Sequence, residues 1–406
     1  MTDSPDKPLL PGAPLPGELP GGVGVLGGGQ LGRMLGLAAR RMGYRFRVFD
    51  PEADSPAGQL ADAQTCAKFD DVQAARAFAS EVGVITFEFE NVPAATLAAV
   101  SAMRPTHPSP RVLDICRHRR KEKTFLRDAG LPVAPFAVVR DAGELQQAAA
   151  QIGLPAILKT AEFGYDGKGQ IKLTDAGACD GAWAALRTSE AVLEGFVPFS
   201  KEVSVVAARD VRGNCQTYPL CENEHANHIL DVTTVPADVP AAVSDAARAL
   251  AMRVMQALDV VGVLAVEMFV VPAAYGHGEP AGAWRLIINE LAPRPHNSGH
   301  FSVDACVTDQ FEQQLRAVCG LSLGDPSLRA GGAAMANLLG DLWFDNTGAR
   351  REPDWSRITD MADVKLHLYG KAEPRVGRKM GHLTVTAATP AAARRRVIEA
   401  RERLRT

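Results

Sequence analysis

Two apolar stretches, each carrying one glutamate, constrain this chain more than any other feature. Residues 263–269 and 286–290 both have the composition of buried strands, and Glu267 and Glu290 are their only carboxylates. The segment between them, 272–283, is polar and contains glycine, which is typical of a hairpin loop. An antiparallel hairpin would therefore place the two carboxylates on neighbouring strands.

Paired carboxylates repel each other unless a cation or a shared proton lies between them. Hard oxygen ligands arranged in this way, next to bound phosphates, suit Mg²⁺. After Glu290, two prolines interrupt regular structure, and a loop presents Arg294, His296, Asn297 and Ser298. The alternative is an exposed strand face with two solvated glutamates, which the apolar flanks disfavour.

Bulk properties exclude several classes of function. A net charge of −3 over 406 residues gives no reason to expect nucleic acid or an anionic membrane as a partner. The sequence contains no apolar run long enough to span a membrane and has no signal-peptide pattern at its start. Its seven cysteines are dispersed without a C-x-x-C pair, which indicates reduced thiols and a cytoplasmic protein.

The N-terminal part predicts a parallel α/β unit. Residues 1–20 are rich in proline and are expected to be a disordered extension. A strand at 22–26, a glycine turn at 27–32, a helix and a strand at 45–49 ending in Asp50 then match a dinucleotide fingerprint. The same N–H groups at a helix N-terminus would bind a mononucleotide phosphate equally well. An NAD-dependent dehydrogenase is therefore one hypothesis, although it assigns no role to Glu267 or Glu290.

The middle of the chain predicts a second anion site. A glycine-rich loop at 162–170 lies between two predicted strands, and Lys159 ends the first of them. Such a loop can close over a triphosphate with its backbone N–H groups. It is not the Walker P-loop, because it lacks that spacing and the helix that follows it. A helix from Ser109 to Leu126 carries the charged run 117–123, which is expected to be a solvated face.

Together these residues follow the order of the ATP-grasp superfamily and resemble one family within it. That family is the 5-(carboxyamino)imidazole ribonucleotide synthetases of purine biosynthesis, and the resemblance spans about residues 22 to 390. The motifs that carry it are residues 29–34, 86–92, 164–170, 289–300 and 377–382. The resemblance implies ATP-dependent carboxylation of 5-aminoimidazole ribonucleotide by bicarbonate through carboxyphosphate.

The resemblance also implies roles for individual residues. A bicarbonate and carboxyphosphate cup would comprise Arg294, His296, Asn297 and Ser298, and Mg²⁺ would bind Glu267 and Glu290. The ribonucleotide would bind Gln30, Leu31, Glu88, Asp166, Lys168, Lys371, Arg378 and Lys379. ATP would bind Arg119, Lys159, Gly164, Tyr165, Asp166, Gly167, Lys168, Gly169, Gln170, Glu194, Gly195, Phe196, Val197, Glu202, His225, Asn289 and Glu290. Lys123 is a second candidate for the phosphate contact given to Arg119.

The implied architecture is α/β and α+β, an ATP-grasp fold between two further domains. We expect a doubly wound parallel-sheet domain at 21–113, an ATP-grasp domain at 114–310 with a lid at about 136–197, and a small α+β domain at 311–406. The family is usually homodimeric. Competing hypotheses are a formate-dependent glycinamide ribonucleotide transformylase, a biotin carboxylase, and a regulatory protein without activity on the same scaffold.

Overall fold

The computed structural model describes residues 8–12, 21–162 and 169–405. The first sheet is parallel, as the strand–turn–helix pattern predicted, and its strand order is β3-β2-β1-β4. Its elements are β1 (Gly22–Leu26), α1 (Gln30–Arg41), β2 (Arg45–Phe49), β3 (Ala63–Thr65), α2 (Val72–Ser80), β4 (Val84–Phe87), α3 (Ala94–Ser101) and α4 (Pro110–Cys116).

Part of the N-terminal extension packs against this unit. The N–H of Leu9 donates to the Cys319 carbonyl at 2.9 Å, and the hydroxyl of Tyr44 donates to the Leu9 carbonyl at 2.6 Å. The prediction of disorder over 1–20 therefore does not hold for residues 8–12, because Leu9 supplies an apolar side chain and two backbone partners.

The expected helix from Ser109 to Leu126 is wrong, because two helices occupy this stretch. The first ends at Cys116, and His118 has an extended backbone (φ −119°, ψ 105°) before α5 (Arg119–Asp128) begins. Ser109 caps the first helix as predicted, with its hydroxyl accepting from the Val112 N–H. The break lets the second helix turn two charged residues inward, as described below.

A small antiparallel sheet follows, with order β5-β8-β6-β7. One face is covered by two helices, whose apolar residues pack on the strands around Leu158 and Leu193. The elements are β5 (Phe136–Val139), α6 (Ala142–Ile152), β6 (Ala156–Thr160), β7 (Gln170–Leu173), α7 (Cys179–Leu186) and β8 (Ala191–Gly195).

The third sheet is the largest and runs from the hairpin to the C-terminal strands. Its order is β14-β15-β13-β9-β11-β12-β16-β18-β17, with β10 paired to β9. The strands are β9 (Lys201–Arg209), β10 (Cys215–Thr217), β11 (Cys221–Ala226), β12 (Ile229–Val235), β13 (Gly262–Pro272), β14 (Glu279–Ala281), β15 (Trp284–Ala292), β16 (Gly332–Leu339), β17 (Val364–Leu368) and β18 (Lys379–Ala387). The helices are α8 (Ala241–Leu258), α9 (Ser302–Ala305), α10 (Gln310–Val318), α11 (Ser356–Thr359) and α12 (Pro390–Arg403).

The two faces of this sheet differ because successive side chains alternate across a strand. On one face, Val205, Val266 and their neighbours pack under α8 in an apolar core. On the other face, apolar residues such as Val206 and Ala265 are covered by Phe301 at one end. At the other end the same face carries polar residues, and the candidate site is there.

Candidate active site

The hairpin prediction is confirmed at the glutamate pair. Strands β13 and β15 are antiparallel, and Glu267 lies opposite Glu290 in the register. Desolvation and the neighbouring Glu267 carboxylate raise the pKa of Glu290. Two carboxylates held this close provide a strong electrostatic preference for a cation.

A cluster of cations lies beside this pair and surrounds one buried carboxylate. Glu194 lies 3.1 Å from the Lys159 ammonium, 3.3 Å from the Lys123 ammonium and 3.8 Å from Arg119. Burial alone would raise the pKa of Glu194, but the three cations outweigh it and lower that pKa to about 2. Arg119 also reaches Glu290, at 3.9 Å. Three cations share Glu194 here, so the cluster has positive charge available for an anion such as phosphate.

The predicted solvated face of residues 117–123 is wrong for the inner side of α5. Lys123 is fully buried, and its ammonium donates to the Asn289 carbonyl at 2.6 Å. Glu122 accepts the N–H of Leu291 at 3.0 Å, and burial raises the pKa of this carboxyl to about 8. Both side chains form hydrogen bonds with backbone groups of β15 on either side of Glu290. The local sequence pattern could not indicate these contacts.

Arg294 and His296 lie at the rim of the glutamate pair. The Nε of Arg294 is 2.6 Å from Oε1 of Glu90, a residue just beyond β4. The Nε2 of His296 is 3.0 Å from Oε1 of Glu267. The loop after β15 therefore joins the hairpin to the end of the parallel sheet.

Asn297 and Ser298 face away from this rim. Asn297 exchanges two amide hydrogen bonds with Asn337, at 2.6 and 3.1 Å. The hydroxyl of Ser298 contacts the His296 Nδ1 at 2.9 Å and the Ser204 hydroxyl at 2.8 Å. In this arrangement both side chains support the loop from behind.

The glycine turn before α1 is occupied by the protein's own carboxylates. The N–H of Gly28 donates to Asp50 at 2.7 Å, and the N–H of Gly29 donates to Glu88 at 2.6 Å. Burial raises the pKa of Glu88 even though the N–H groups of Gly29 and Gly32 both donate to this carboxylate. A dinucleotide pyrophosphate would have to displace both carboxylates, so this geometry disfavours the dehydrogenase hypothesis.

A basic loop near the C-terminus, residues 371–379, lies against the N-terminus of α1. The ammonium of Lys371 donates to the side-chain carbonyl of Gln30 and, at 2.7 Å, to the Lys379 carbonyl. Burial lowers the pKa of Lys371 to about 8. Leu31 is buried in the helix beneath, and the Arg378 guanidinium donates to the Glu373 carbonyl at 2.7 Å. Residues far apart in sequence thus form one polar surface.

On the small sheet and on strands β9 and β11 of the large sheet, several predicted nucleotide contacts already have partners within the protein. The N–H groups of Gly195 and Phe196 donate to the carbonyls of Pro135 and Pro155. Glu202 accepts from His225 Nδ1 at 2.5 Å, and this carboxylate outweighs burial and raises the pKa of His225.

Other predicted nucleotide residues lie in or near the two antiparallel sheets. Val197 is buried beside Phe269 and Ile287. Gln170 pairs with Lys159 in the sheet, and Gly169 takes a left-handed backbone with φ +72°. The remaining predictions for the glycine loop, Gly164, Tyr165, Asp166, Gly167 and Lys168, lie outside the described residues.

Sequence reasoning missed Glu90 and Ser204 as parts of this site. Ser204 interrupts the apolar strand β9 and lies opposite Glu267 in the register. A single polar residue in an apolar strand had identified Glu267, so the same signal could have identified Ser204. Glu90 had a different signal, since it lies in motif 86–92 at the end of a parallel strand where such sheets bind ligands, but the sequence did not identify its partner Arg294.

The donor set agrees with a cation that has hard oxygen ligands. Among residues 8–12, 21–162 and 169–405, no group of three or more histidine, cysteine or acidic side chains is placed to hold a metal. Glu267 and Glu290 supply two facing carboxylates. Such a pair suits Mg²⁺, whose remaining ligands would be phosphate oxygens and water, better than it suits zinc.

No helix in the described ranges is long and apolar enough to cross a membrane.

Comparisons with known families cover most of the chain. Residues 21–117 match the ribonucleotide synthetase preATP-grasp domain, and residues 124–311 match the ATP-grasp domain. Residues 333–396 match the phosphoribosylaminoimidazole carboxylase C-terminal domain.

Similar proteins agree with these matches. The N5-carboxyaminoimidazole ribonucleotide synthase of Bacillus subtilis is 42% identical over 89% of this chain and 90% of its own length. That of Pseudomonas aeruginosa is 41% identical over 93% and 98%. A bifunctional purine synthesis protein of Dictyostelium discoideum is 39% identical over 89% of this chain, which spans only 36% of that longer protein.

Solved structures share the fold. A crystal structure of an N5-carboxyaminoimidazole ribonucleotide synthetase with ADP superposes with a TM-score of 0.85 at 38% identity, covering 97% of both chains. The Aspergillus clavatus synthase with ADP and 5-aminoimidazole ribonucleotide gives a TM-score of 0.82 at 29% identity, covering 94% of this chain and 98% of that one.

Proposed function

The chain belongs to the N5-carboxyaminoimidazole ribonucleotide synthase family of ATP-grasp enzymes, and from this premise we propose which residues carry its reaction. The enzyme carboxylates 5-aminoimidazole ribonucleotide in purine biosynthesis at the expense of ATP. A bicarbonate oxygen attacks the γ-phosphorus, the bond to ADP breaks, and carboxyphosphate forms. The exocyclic amine then takes the carboxyl carbon, loses a proton and leaves phosphate as the other product.

The main support for the proposal is the arrangement of charged side chains around the glutamate pair. Glu267 and Glu290 lie opposite each other, with His296 on the first carboxylate and Arg119 near the second. Phosphoryl transfer asks a protein mainly for positioning and charge neutralisation. Carboxylates for a cation and cations for phosphates are the two elements that it requires.

ATP phosphates would contact Arg119, Lys159 and Lys123. These three cations share the single carboxylate of Glu194, so bound phosphates would supply the missing negative charge. Burial lowers the pKa of Lys159 because it disfavours the charged ammonium. The same low-dielectric surroundings strengthen the attraction between this ammonium and a bound phosphate. The glycine loop 164–170 would cover the phosphates, and Glu202 with His225 would contact the nucleoside.

Mg²⁺ would be held by Glu267 and Glu290, which are the paired carboxylates of the site. A bound Mg²⁺ neutralises charge that builds on the transferred phosphoryl group. The protein's own part is to keep both carboxylates in place, and His296 does this for Glu267 at 3.0 Å.

Bicarbonate would bind between Arg294 and His296. A guanidinium matches a small planar oxyanion through two parallel hydrogen bonds, which a lysine ammonium does not offer. Asn297 and Ser298 would hold the loop in shape, through Asn337 and Ser204 respectively. Carboxyphosphate is labile, so the covering loops would also exclude water.

The ribonucleotide would bind where α1 begins. Its phosphate would meet the N-terminus around Gln30 and Leu31 together with Lys371, Arg378 and Lys379, as the contact between Gln30 and Lys371 supports. Glu88 would contact the ribose, with Asp166 and Lys168 on the other side of the substrate.

The wider organisation is also part of the proposal. We divide the chain into domains at 21–113, 114–310 and 311–406, with a lid at about 136–197, which the matched family ranges support. The dispersed free cysteines support a cytoplasmic protein. Light scattering on the purified protein tests the expected homodimer.

Turnover assays test the function directly. Phosphate release from ATP should depend on both 5-aminoimidazole ribonucleotide and bicarbonate, and labelled bicarbonate should enter the product. Formate with glycinamide ribonucleotide serves as the control substrate pair. Turnover with the control pair and none with the proposed substrates would reject the assignment.

A further inference from the structure

A buried chain of hydrogen bonds runs behind His296. The Thr233 hydroxyl donates to the Asn223 side-chain carbonyl at 3.1 Å, and the Asn223 amide donates to the Ser204 hydroxyl at 2.9 Å. Ser204 contacts the Ser298 hydroxyl at 2.8 Å, and Ser298 contacts the His296 Nδ1 at 2.9 Å. Three of these side chains, at positions 204, 233 and 298, are fully buried.

The direction of this chain follows from its donors. A hydroxyl has one hydrogen, and Ser204 receives a hydrogen bond from Asn223, so its own hydrogen is available for Ser298. Ser298 can then donate its hydrogen to the Nδ1 of His296. The backbone N–H of Ser298 also donates to that Nδ1, at 3.3 Å. Nδ1 is therefore an acceptor.

The other ring nitrogen gives the same result independently. Nε2 of His296 lies 3.0 Å from Oε1 of Glu267, and an ionised carboxylate can only accept. Nε2 must then carry the hydrogen. Both ends of the ring thus specify one tautomer, with Nε2–H directed at Glu267.

We propose that Ser204, Asn223 and Thr233 are positioning residues that hold His296 in one orientation and one tautomer beside Glu267. They act through Ser298 and do not touch substrate. The inference rests on the proposed function for the role of His296, but the geometry alone supports the tautomer. It extends the site to three strands, β9, β11 and β12, that the loop motif does not include.

This arrangement has a consequence for Glu267. An imidazole fixed from behind donates through Nε2 to one carboxylate oxygen and leaves the other oxygen uncommitted by this contact. Without the chain, the ring could rotate or adopt the Nδ1–H tautomer, and the hydrogen bond to Glu267 would be lost. Partners of this kind typically contribute 10- to 100-fold to the activity of a site.

Paired variants test the chain at its far end. Thr233→Val keeps the shape and removes the hydroxyl, whereas Thr233→Ser keeps the hydroxyl. Thr234→Val is the matched control, since Thr234 is a buried neighbour whose hydroxyl has no partner among the described residues. We expect kcat to fall about 3- to 10-fold in Thr233→Val, with wild-type kcat in the control and near-wild-type kcat in Thr233→Ser. Equal losses in Thr233→Val and Thr234→Val would overturn the proposal.

The tautomer itself is read by nitrogen NMR on the ligand-free protein labelled at histidine, with His296 assigned by its loss in His296→Gln. The wild-type protein should show the Nε2–H pattern, and Ser204→Ala should shift the spectrum toward mixed tautomers. The same variant should lower kcat about tenfold or more and leave ATP affinity within about twofold. Unchanged imidazole shifts in Ser204→Ala would overturn the inference. The spectra need no substrate, so the tautomer can still be determined if the proposed carboxylation fails.

Discussion

Arg294 and Glu90 form an ion pair that connects the two halves of the site. Nε of Arg294 lies 2.6 Å from Oε1 of Glu90, and both side chains are about one fifth exposed, at 22% and 23%. Arg294 follows the hairpin of β13 and β15, and Glu90 follows β4 of the parallel sheet. The pair fixes the guanidinium through Nε, and so it can orient the two terminal nitrogens that a bicarbonate would use.

Glu90→Gln should therefore weaken catalysis without weakening ATP binding. The amide keeps the size of the side chain but loses the charge that holds the guanidinium, so we expect kcat to fall about tenfold. Glu81→Gln is the control, because Glu81 pairs with Arg47 at 2.5 Å in the same domain. Turnover and nucleotide affinity measured on both variants check this, and a wild-type kcat in Glu90→Gln would contradict it.

Arg294→Lys separates bicarbonate chemistry from ATP binding. Lysine keeps the charge but loses the bidentate geometry, so we expect kcat of the bicarbonate-dependent reaction to fall about 10²-fold or more. ATP affinity should stay nearly unchanged. If ATP binding collapses together with turnover, Arg294 is a nucleotide or structural residue instead.

Glu267→Gln and Glu290→Gln each remove one anionic ligand from the proposed Mg²⁺ site. We expect loss of ATP turnover with little change in thermal stability, because removing one of two facing carboxylates also relieves their repulsion. Turnover measured across a Mg²⁺ titration checks the prediction. Near-normal turnover of both variants at modest Mg²⁺ would exclude the metal assignment.

The glycine turn should not bind NAD or NADP, because Asp50 and Glu88 already accept its N–H groups. Asp50→Asn retains an acceptor for Gly28, so the ribonucleotide KM should stay within about threefold, under roughly 0.7 kcal/mol of binding. Calorimetric titration with both dinucleotides checks the first statement. Tight dinucleotide binding would reject the proposal that this domain binds the ribonucleotide.

Glu194 should make stability depend on pH in the acid range. Its pKa falls from an ordinary 4.5 to about 2 in the folded protein, so the folded state favours the ionised form. The stabilisation is fully present above pH 4.5 and is lost as the pH falls toward 2. It amounts to about 3 kcal/mol at neutral pH.

Glu194→Gln should lack this acid-range dependence and unfold more easily at pH 7. Adding ATP should narrow the difference, because the phosphates can balance Arg119, Lys123 and Lys159 in place of the carboxylate. Denaturant unfolding of both proteins from pH 3 to pH 7 measures the effect. Equal stabilities at pH 7 would show that the carboxylate does not hold these cations.

The sequence by itself determined the elements whose signals are local. The strands Gly22–Leu26 and Arg45–Phe49 have the predicted bounds, and the hairpin pairs Glu267 with Glu290 as expected. Periodicity, turn residues and the single carboxylate in each apolar strand are contained within short windows. A hairpin is also a local structure, but its register depends on a bulge between Glu267 and Met268, which places Glu267 opposite Glu290 instead of Asn289.

Only the tertiary structure decided the contacts between distant residues. Lys123 reaches Asn289 across 166 positions, Lys371 reaches Gln30 across 341, and Ser204 reaches Ser298 across 94. Lys123 lies in a run that is locally typical of a solvated helix face, and it is buried because α5 packs on β15. Burial and pairing of a charged side chain depend on which surfaces meet, and no local pattern specifies that meeting.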